Sequence, residues 1–289
     1  MSPRATARLQ LLGAAVLFST GGAAIKAAAF TGWQIASFRS GIAAVALWLM
    51  IPAARRGWTW RAALVGVAYA GCLTLFVLAN RLTTAANTIF LQSTAPVYLL
   101  VLAPWLLKEP IRRQDLGFML AVGVGLMLFF VSVDAPLPTA PNPGRGNLLA
   151  LASGFFWALA VCGLRWLSTE EGRGSPVAAV VSGNLVAFLF SLPMTTPLAP
   201  HPATDWVVIV YLGVFQIGVA YVFVTNALRR IPALEASVIL LMEPVLNPVW
   251  AWVIQREAPG LWALLGGAII LSATTARSWV DNRVAQPVT

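Results

Sequence analysis

Residues 86–109 read ANTIFLQSTAPVYLLVLAPWLLKE and residues 234–257 read LEASVILLMEPVLNPVWAWVIQRE. These are two versions of one segment. A shift of 148 residues aligns Arg81 with Arg229, Ala85 with Ala233 and Pro96-Val97 with Pro244-Val245. The same shift aligns Val101 with Val249, Ala103 with Ala251 and Lys108-Glu109 with Arg256-Glu257. Each copy is an apolar run with a proline near its middle and a basic–Glu pair at its end. A second echo joins Gly66 and Gly71 to Gly213 and Gly218 at a shift of 147. Repeated segments of this kind point to an internal duplication, and they limit the fold to architectures with two related halves.

The medium follows from charge. Only 10% of the 289 residues are charged and 59% are hydrophobic, against about 25% charged in a soluble domain. Such a chain lacks the polar surface to live in water and reads as an integral membrane protein. A helix needs roughly 20 apolar residues to cross a bilayer. Ten segments qualify: 9–28, 33–51, 62–80, 86–107, 116–133, 147–167, 176–195, 206–228, 234–254 and 261–280. The first also fits a signal-peptide pattern, with small residues at Ala27 to Ala29, but nine further spans favour a retained helix. Asp134 to Gly146, DAPLPTAPNPGRG, is too proline-rich for a helix and forms the seam. The expected organisation is a tail at 1–8, a five-helix repeat at 9–133, a linker at 134–146, a second repeat at 147–280 and a tail at 281–289.

The basic residues orient this array, because Lys and Arg collect on the cytoplasmic side. With the N-terminus inside, fourteen of them fall in cytoplasmic segments: Arg4, Arg8, Arg55, Arg56, Arg61, Lys108, Arg112, Arg113, Arg165, Arg173, Arg229, Arg230, Arg277 and Arg283. Lys26, Arg81, Arg145 and Arg256 fall outside, and Arg39 lies within a span. The net charge of +9 therefore reflects topology rather than nucleic-acid binding. Five spans per half is odd, so the second half enters the membrane upside down. Inverted repeats are a transporter architecture, in which two halves exchange conformations about a central site.

Other classes have little support. Cys72 and Cys162 both lie in apolar runs, and His201 stands alone in a polar loop, so no metal site and no disulfide framework is expected. No GxxxxGK[ST], GxSxG or HExxH pattern occurs, nor any pair of carboxylates within a span. No cofactor is implied. A membrane-embedded enzyme would need clustered His, Asp, Ser or Arg near one face.

The two proline-centred segments, Pro96 to Glu109 and Pro244 to Glu257, together with Arg39 in the second span, resemble the EamA-type branch of the drug/metabolite transporter superfamily. The resemblance covers about residues 9–280. It implies an all-α membrane protein of ten transmembrane helices in two inverted five-helix repeats, with both termini cytoplasmic. It also implies a central cavity lined by helices one, three, four, six, eight and nine. One departure is Pro104, whose mate is Trp252, so the kinks of the two halves need not match. The function expected is a secondary transporter in a bacterial inner membrane, exporting small, partly apolar metabolites such as amino acids, aromatic ones included. A multidrug or lipid-linked substrate is the alternative. The expected partners are a small-molecule substrate and the lipid bilayer, with the chain a monomer or homodimer.

Polar groups in hydrocarbon are costly unless partnered, so those inside spans are the site candidates. Glu243 precedes Pro244 in mid-span, and Asn247 lies one turn on. The carboxylate fits either a proton or substrate amine, or a hydrogen bond between helices. Pro244 and Pro248 free backbone carbonyls beside it. Thr94 and Tyr98 flank Pro96 with the same spacing of four. Ser19, Tyr69, Trp157, Gln216 and Tyr221 complete the substrate-binding set, with Pro96, Pro244 and Pro248 as kinks. For Arg39 a carboxylate ligand and an internal partner are both open, and a peripheral second helix favours the latter. Lys26 is expected to snorkel to the outer interface. Gly117, Ala121 and Gly125 form a stripe of small residues that suits helix packing within the fold or between protomers.

Overall fold

The computed structural model describes residues 3–106, 113–131, 135–168, 174–228, 230, 236 and 239–285. Among these residues all regular structure is helical, apart from one isolated bridge between Leu137 and Ala140. The helices are α1 (Pro3–Ser19), α2 (Gly21–Ala27), α3 (Gly32–Met50), α4 (Trp60–Leu82), α5 (Ala85–Gln92), α6 (Ala95–Leu106), α7 (Arg113–Val131), α8 (Pro143–Ser168), α9 (Pro176–Ser191), α10 (Ala203–Tyr211), α11 (Ala220–Ala227), α12 (Met242–Gln255) and α13 (Leu261–Ala285). Among the described residues six stretches are long and apolar enough to cross a membrane: Pro3–Ala27, Trp60–Leu82, Ala85–Leu102, Pro143–Ser168, Pro176–Thr195 and Ala203–Ala227. Leu116–Phe130 and Leu261–Ala276 are shorter apolar helices. This is a multi-pass, all-helical membrane protein.

Helix starts follow capping chemistry. The first amides of a helix have no internal acceptor, and a side-chain oxygen supplies one. Thr59, Thr84 and Ser175 accept from the amides of Ala62, Asn87 and Ala178. Thr31 and Gln34 form a full capping box, with Gln34 N donating to Thr31 Oγ1 at 3.2 Å and Thr31 N to Gln34 Oε1 at 2.9 Å.

Three boundaries differ from the sequence reading, and proline accounts for the two that are helix starts. Residues placed in polar tails or the linker belong to helices, and at the two starts proline suits the first helical position and its fixed φ starts a turn. Helix α1 begins at Pro3 and α8 at Pro143, while α13 runs on to Ala285. Lys108, Glu109 and Arg112, which sit in the echoed segment and its loop, lie outside the described residues, as do Arg229 and Ala233.

Packing is set by close approaches at glycine. Helix α4 packs on α8 and α9, while α11 packs on α1 and the Leu212–Val219 segment packs on α3. A Cβ at Gly66 would sit 2.1 Å from Ser182 Oγ, and one at Gly213 would sit 2.7 Å from Ile42 Cβ. Only hydrogen fits at either place. In the small-residue stripe, Gly125 faces Gly266 and Ile270 of α13, so it packs within the fold, whereas Gly117 faces open space.

Candidate functional site

Several expected spans are interrupted where the candidate residues lie. The first breaks at Thr20, between α1 and α2. The fourth breaks at Ser93-Thr94, and Pro96 occupies the first turn of α6 instead of kinking a continuous helix. Pro244 likewise lies in the first turn of α12, after a turn at Leu241, and Pro248 is the proline inside that helix. These two prolines therefore start helices; only Pro248 keeps its expected place in a helix interior. Span eight carries a π-helical segment, Leu212–Val219, between α10 and α11. Such segments open the backbone and are frequent at functional sites. No side-chain pattern announced it.

Around these breaks the polar side chains gather. The Tyr69 and Tyr221 hydroxyls are 2.7 Å apart, joining α4 to α11. Trp157 of α8 lies against Tyr69 with ring centroids 6.1 Å apart, and Phe18 meets Tyr221 edge-on at 5.6 Å. Glu243 is partly buried. Its place in the first turn of α12 sets the carboxylate at the positive end of that helix. Gln92 donates to Ser153 Oγ at 2.8 Å, and Ser153 donates to the Cys72 carbonyl at 3.0 Å. Tyr69, Trp157 and Tyr221 thus share one neighbourhood, and sequence reasoning missed Cys72, Gln92 and Ser153 on the adjoining turns of α4, α5 and α8. Each of those three is a small or neutral group inside an apolar run, with no spacing signal to mark it.

Of the remaining candidates, Ser19, Gln216 and Asn247 surround the break in span one, while Thr94 and Tyr98 lie at the break in span four. Ser19 Oγ accepts from Trp250 Nε1 at 2.9 Å, and Thr20 Oγ1 lies 2.8 Å from the Tyr211 hydroxyl. Gln216 donates weakly to the Phe18 carbonyl at 3.4 Å, leaving its own Oε1 without a partner. Asn247 is fully buried against Gly22, and neither of its amide atoms has a hydrogen-bond partner. Thr94 is spent locally: it is buried and donates to the Leu91 carbonyl at 2.7 Å. Tyr98 is half-buried and packs edge-on against Phe155 at 5.6 Å.

Two basic side chains are buried within the bundle, and one of them departs from expectation. Arg39 is 1% exposed and faces Tyr69 and Cys72, with one 3.4 Å bond to the Leu73 carbonyl. Its Nε and Nη1 have no hydrogen-bond partner. Lys26 does not snorkel. It is buried and paired with Glu257 at 3.0 Å, because a carboxylate and two carbonyls within the bundle replace the water it would otherwise seek.

With that geometry in hand, comparison with known proteins decides the class. The model of the EamA-like transporter family matches residues 6–131 and again residues 144–276. The chain belongs to the EamA-like transporter family. It is a transporter and not an enzyme. Three curated relatives are similar to this EamA-like transporter. An uncharacterized transporter of Methanothermobacter thermautotrophicus is 23% identical over 203 residues, covering 68% of this chain and 57% of that protein. An uncharacterized transporter of Archaeoglobus fulgidus is 26% identical over 215 residues, covering 69% and 70%. The uncharacterized transporter YetK of Bacillus subtilis is 25% identical over 201 residues, covering 65% and 60%. The match thus spans under two thirds of the length of the first and third of these relatives. A solved crystal structure shares the fold at a TM-score of 0.62 and 18% identity, over 98% of this chain and 99% of that one.

Within this EamA-like transporter, Glu257, which sequence reasoning used only as a helix end, is a buried ion-pair partner. Glu257 pairs with Lys26 and also accepts from the Ala85 amide at 2.6 Å. The echo with Glu109 flagged its position, but nothing in the sequence named the partner.

Proposed function

We propose that this chain is a secondary transporter that exports small, partly apolar metabolites, amino acids with aromatic side chains among them. It works by alternating access between two inverted five-helix repeats, residues 9–133 and 147–280, joined by the linker at 134–146. Ten spans place both termini in the cytoplasm of a bacterial cell, with the chain in the inner membrane as a monomer or homodimer.

The observation that carries this reading is the pattern of helix packing. The third span, α4, packs on spans six and seven, α8 and α9. The eighth span packs on spans one and two, through α11 on α1 and the π segment on α3. Exchange of the halves turns one set of contacts into the other, as an inverted repeat requires. Gly66 and Gly213, aligned at the shift of 147, mediate the two approaches. The two separate matches of the family model support the same division.

The substrate class rests on the cluster at the interrupted spans. Trp157, Tyr69 and Tyr221 offer flat apolar faces with hydroxyls at their edges, which suits an aromatic or aliphatic side chain. Glu243 supplies a negative charge for an ammonium group, and Ser19, Gln216 and Asn247 supply neutral polar contacts. Tyr98 adds a half-buried aromatic side chain from α6, and Thr94 shapes the turn before that helix. Purified protein in proteoliposomes, tested against a panel of radiolabelled amino acids and cationic drugs, checks this. Saturable uptake of aromatic amino acids with counterflow is the expected result, and uptake of drugs alone would overturn the amino-acid assignment.

A lipid-linked substrate is favoured by one separate feature. An apolar groove of about 330 Å³ between α5, α12 and α13 is lined by Phe90, Pro248, Trp252, Leu264 and Ala268. Competition of amino-acid uptake by lipid-linked compounds in the same vesicles distinguishes this reading.

A further inference from the structure

We propose that the buried Lys26–Glu257 pair is the latch that closes one end of the bundle, and that it opens in each transport cycle. This rests on the alternating-access reading above. The pair is 3.0 Å apart, with side chains 2% and 0% exposed. Glu257 Oε1 also accepts from the Ala85 amide at 2.6 Å. Lys26 Nζ donates to the Thr83 carbonyl at 2.9 Å and to the Thr139 carbonyl. One turn away Gln255 Nε2 donates to the Ala23 carbonyl at 2.7 Å.

These bonds draw together four separate pieces of chain at one end: the end of α2, the joint between α4 and α5, the central linker and the end of α12. Lys26 comes from the first half and Glu257 from the second, so the halves cannot part here while the pair is intact. The same three helix ends belong to spans one, four and nine, which border the candidate site.

The chemistry suits a joint that must break. Two buried ions give up their hydration, and mutual attraction only offsets that loss. An apolar pair of the same shape would hold two static helices as well. Once the end parts and water enters, both ions regain solvation, so the cost of separating them falls as the gap opens. The pair is thus tight when dry and weak when wet, which makes the end two-state. Local geometry is committed to it. Arg256 has φ 58°, the positive-φ non-glycine residue among those described. That left-handed turn ends α12 and brings Glu257 back into the bundle.

The test is accessibility. Ala23 is buried beside the latch, and the native Cys72 and Cys162 are buried too, so the parent chain sets the labelling background. Ala23→Cys is probed with a membrane-impermeant thiosulfonate added separately to each side of sealed vesicles. Glu257→Gln keeps the acceptor for the Ala85 amide but removes the charge, and Lys26→Met removes the other partner. Each is expected to raise labelling of Ala23→Cys about tenfold from one side only. Labelling within twofold of the parent in both folded variants would overturn the latch. A second measurement leaves Lys26 and Glu257 untouched. A short cross-link between Ala23→Cys and Gln255→Cys is expected to stop uptake, with reduction restoring it. Full uptake by quantitatively cross-linked protein would overturn the proposal, and this arm decides if neither latch variant folds. The labelling arm needs no substrate. A parent protein without uptake therefore sinks the transport reading, while labelling still decides the latch.

Discussion

The hydroxyls of Tyr69 and Tyr221 lie 2.7 Å apart, and this contact ties α4 of the first half to α11 of the second. A hydrogen bond between neutral groups contributes about 0.5–1.5 kcal/mol, but a buried hydroxyl left without its partner costs about 1–3 kcal/mol. Tyr69→Phe and Tyr221→Phe should therefore each lower thermal stability in detergent. The double Phe variant should lose less than the sum of the two, since neither hydroxyl is then orphaned. Additive losses across the cycle would mean that the two hydroxyls do not depend on each other.

Glycine substitutions should separate tight packing from open surface. At Gly66 a new methyl would lie 2.1 Å from Ser182 Oγ and 2.8 Å from the Gly183 amide nitrogen. Gly66→Ala should cost about 1–3 kcal/mol, as overpacking does. At Gly117 nothing lies within 4 Å of the added methyl. Gly117→Ala should be neutral or stabilising by up to about 1 kcal/mol, because alanine favours helix. Chemical denaturation of both variants in the same detergent checks the contrast.

Glu243 offers a test of the substrate site. It is partly buried in the first turn of α12. If it holds an ammonium group, Glu243→Gln removes a charge-assisted bond of about 1.5–3 kcal/mol, and apparent affinity should fall about ten- to a hundredfold. Wild-type binding, exchange and proton-driven uptake in this variant would remove Glu243 from the site. Loss of pH-dependent uptake with intact exchange would mark it as a proton carrier.

Arg39 separates binding from structure. It is buried beside Tyr69 with two nitrogens unpartnered. Replacement of a buried, poorly paired ion by an apolar chain of similar length is often neutral or stabilising. Arg39→Met should therefore keep thermal stability, while uptake of carboxylate-bearing substrates falls at least about tenfold if the guanidinium meets them. Unchanged uptake with unchanged stability would assign it to neither role.

The proposed orientation rests on the charge bias of fourteen Lys and Arg against four. Reporter fusions at Thr289 and after Arg56 should report cytoplasm, and a fusion near Pro141 should report the opposite side. A C-terminus on the far side would remove both the ten-span arrangement and the inverted repeat.

The sequence by itself determined the medium and the class, and it carries the echo from which the internal duplication is proposed. Charge content and twenty-residue apolar runs act locally, through the cost of placing each residue in hydrocarbon. The echo of Pro96 to Glu109 in Pro244 to Glu257 survives in the bare letters. Proline was legible as a marker of interruption, yet its role depended on the neighbouring backbone. Pro96 and Pro244 begin helices after a turn, and Pro3 and Pro143 begin helices read as tail and linker. Partnership was settled only in three dimensions. Lys26 has the stem and charge of a snorkelling residue, and nothing near it in the chain foretells Glu257. Their meeting depends on how α2 and α12 are rotated and how closely they approach. The same holds for Tyr69 with Tyr221, and for Cys72, Gln92 and Ser153, ordinary members of apolar helices until packing turns them toward one another. Membrane helices share one apolar alphabet, so their mutual rotation is decided by close contacts at positions such as Gly66 and Gly213. Such contacts are pairwise and long-range, and no local pattern records them.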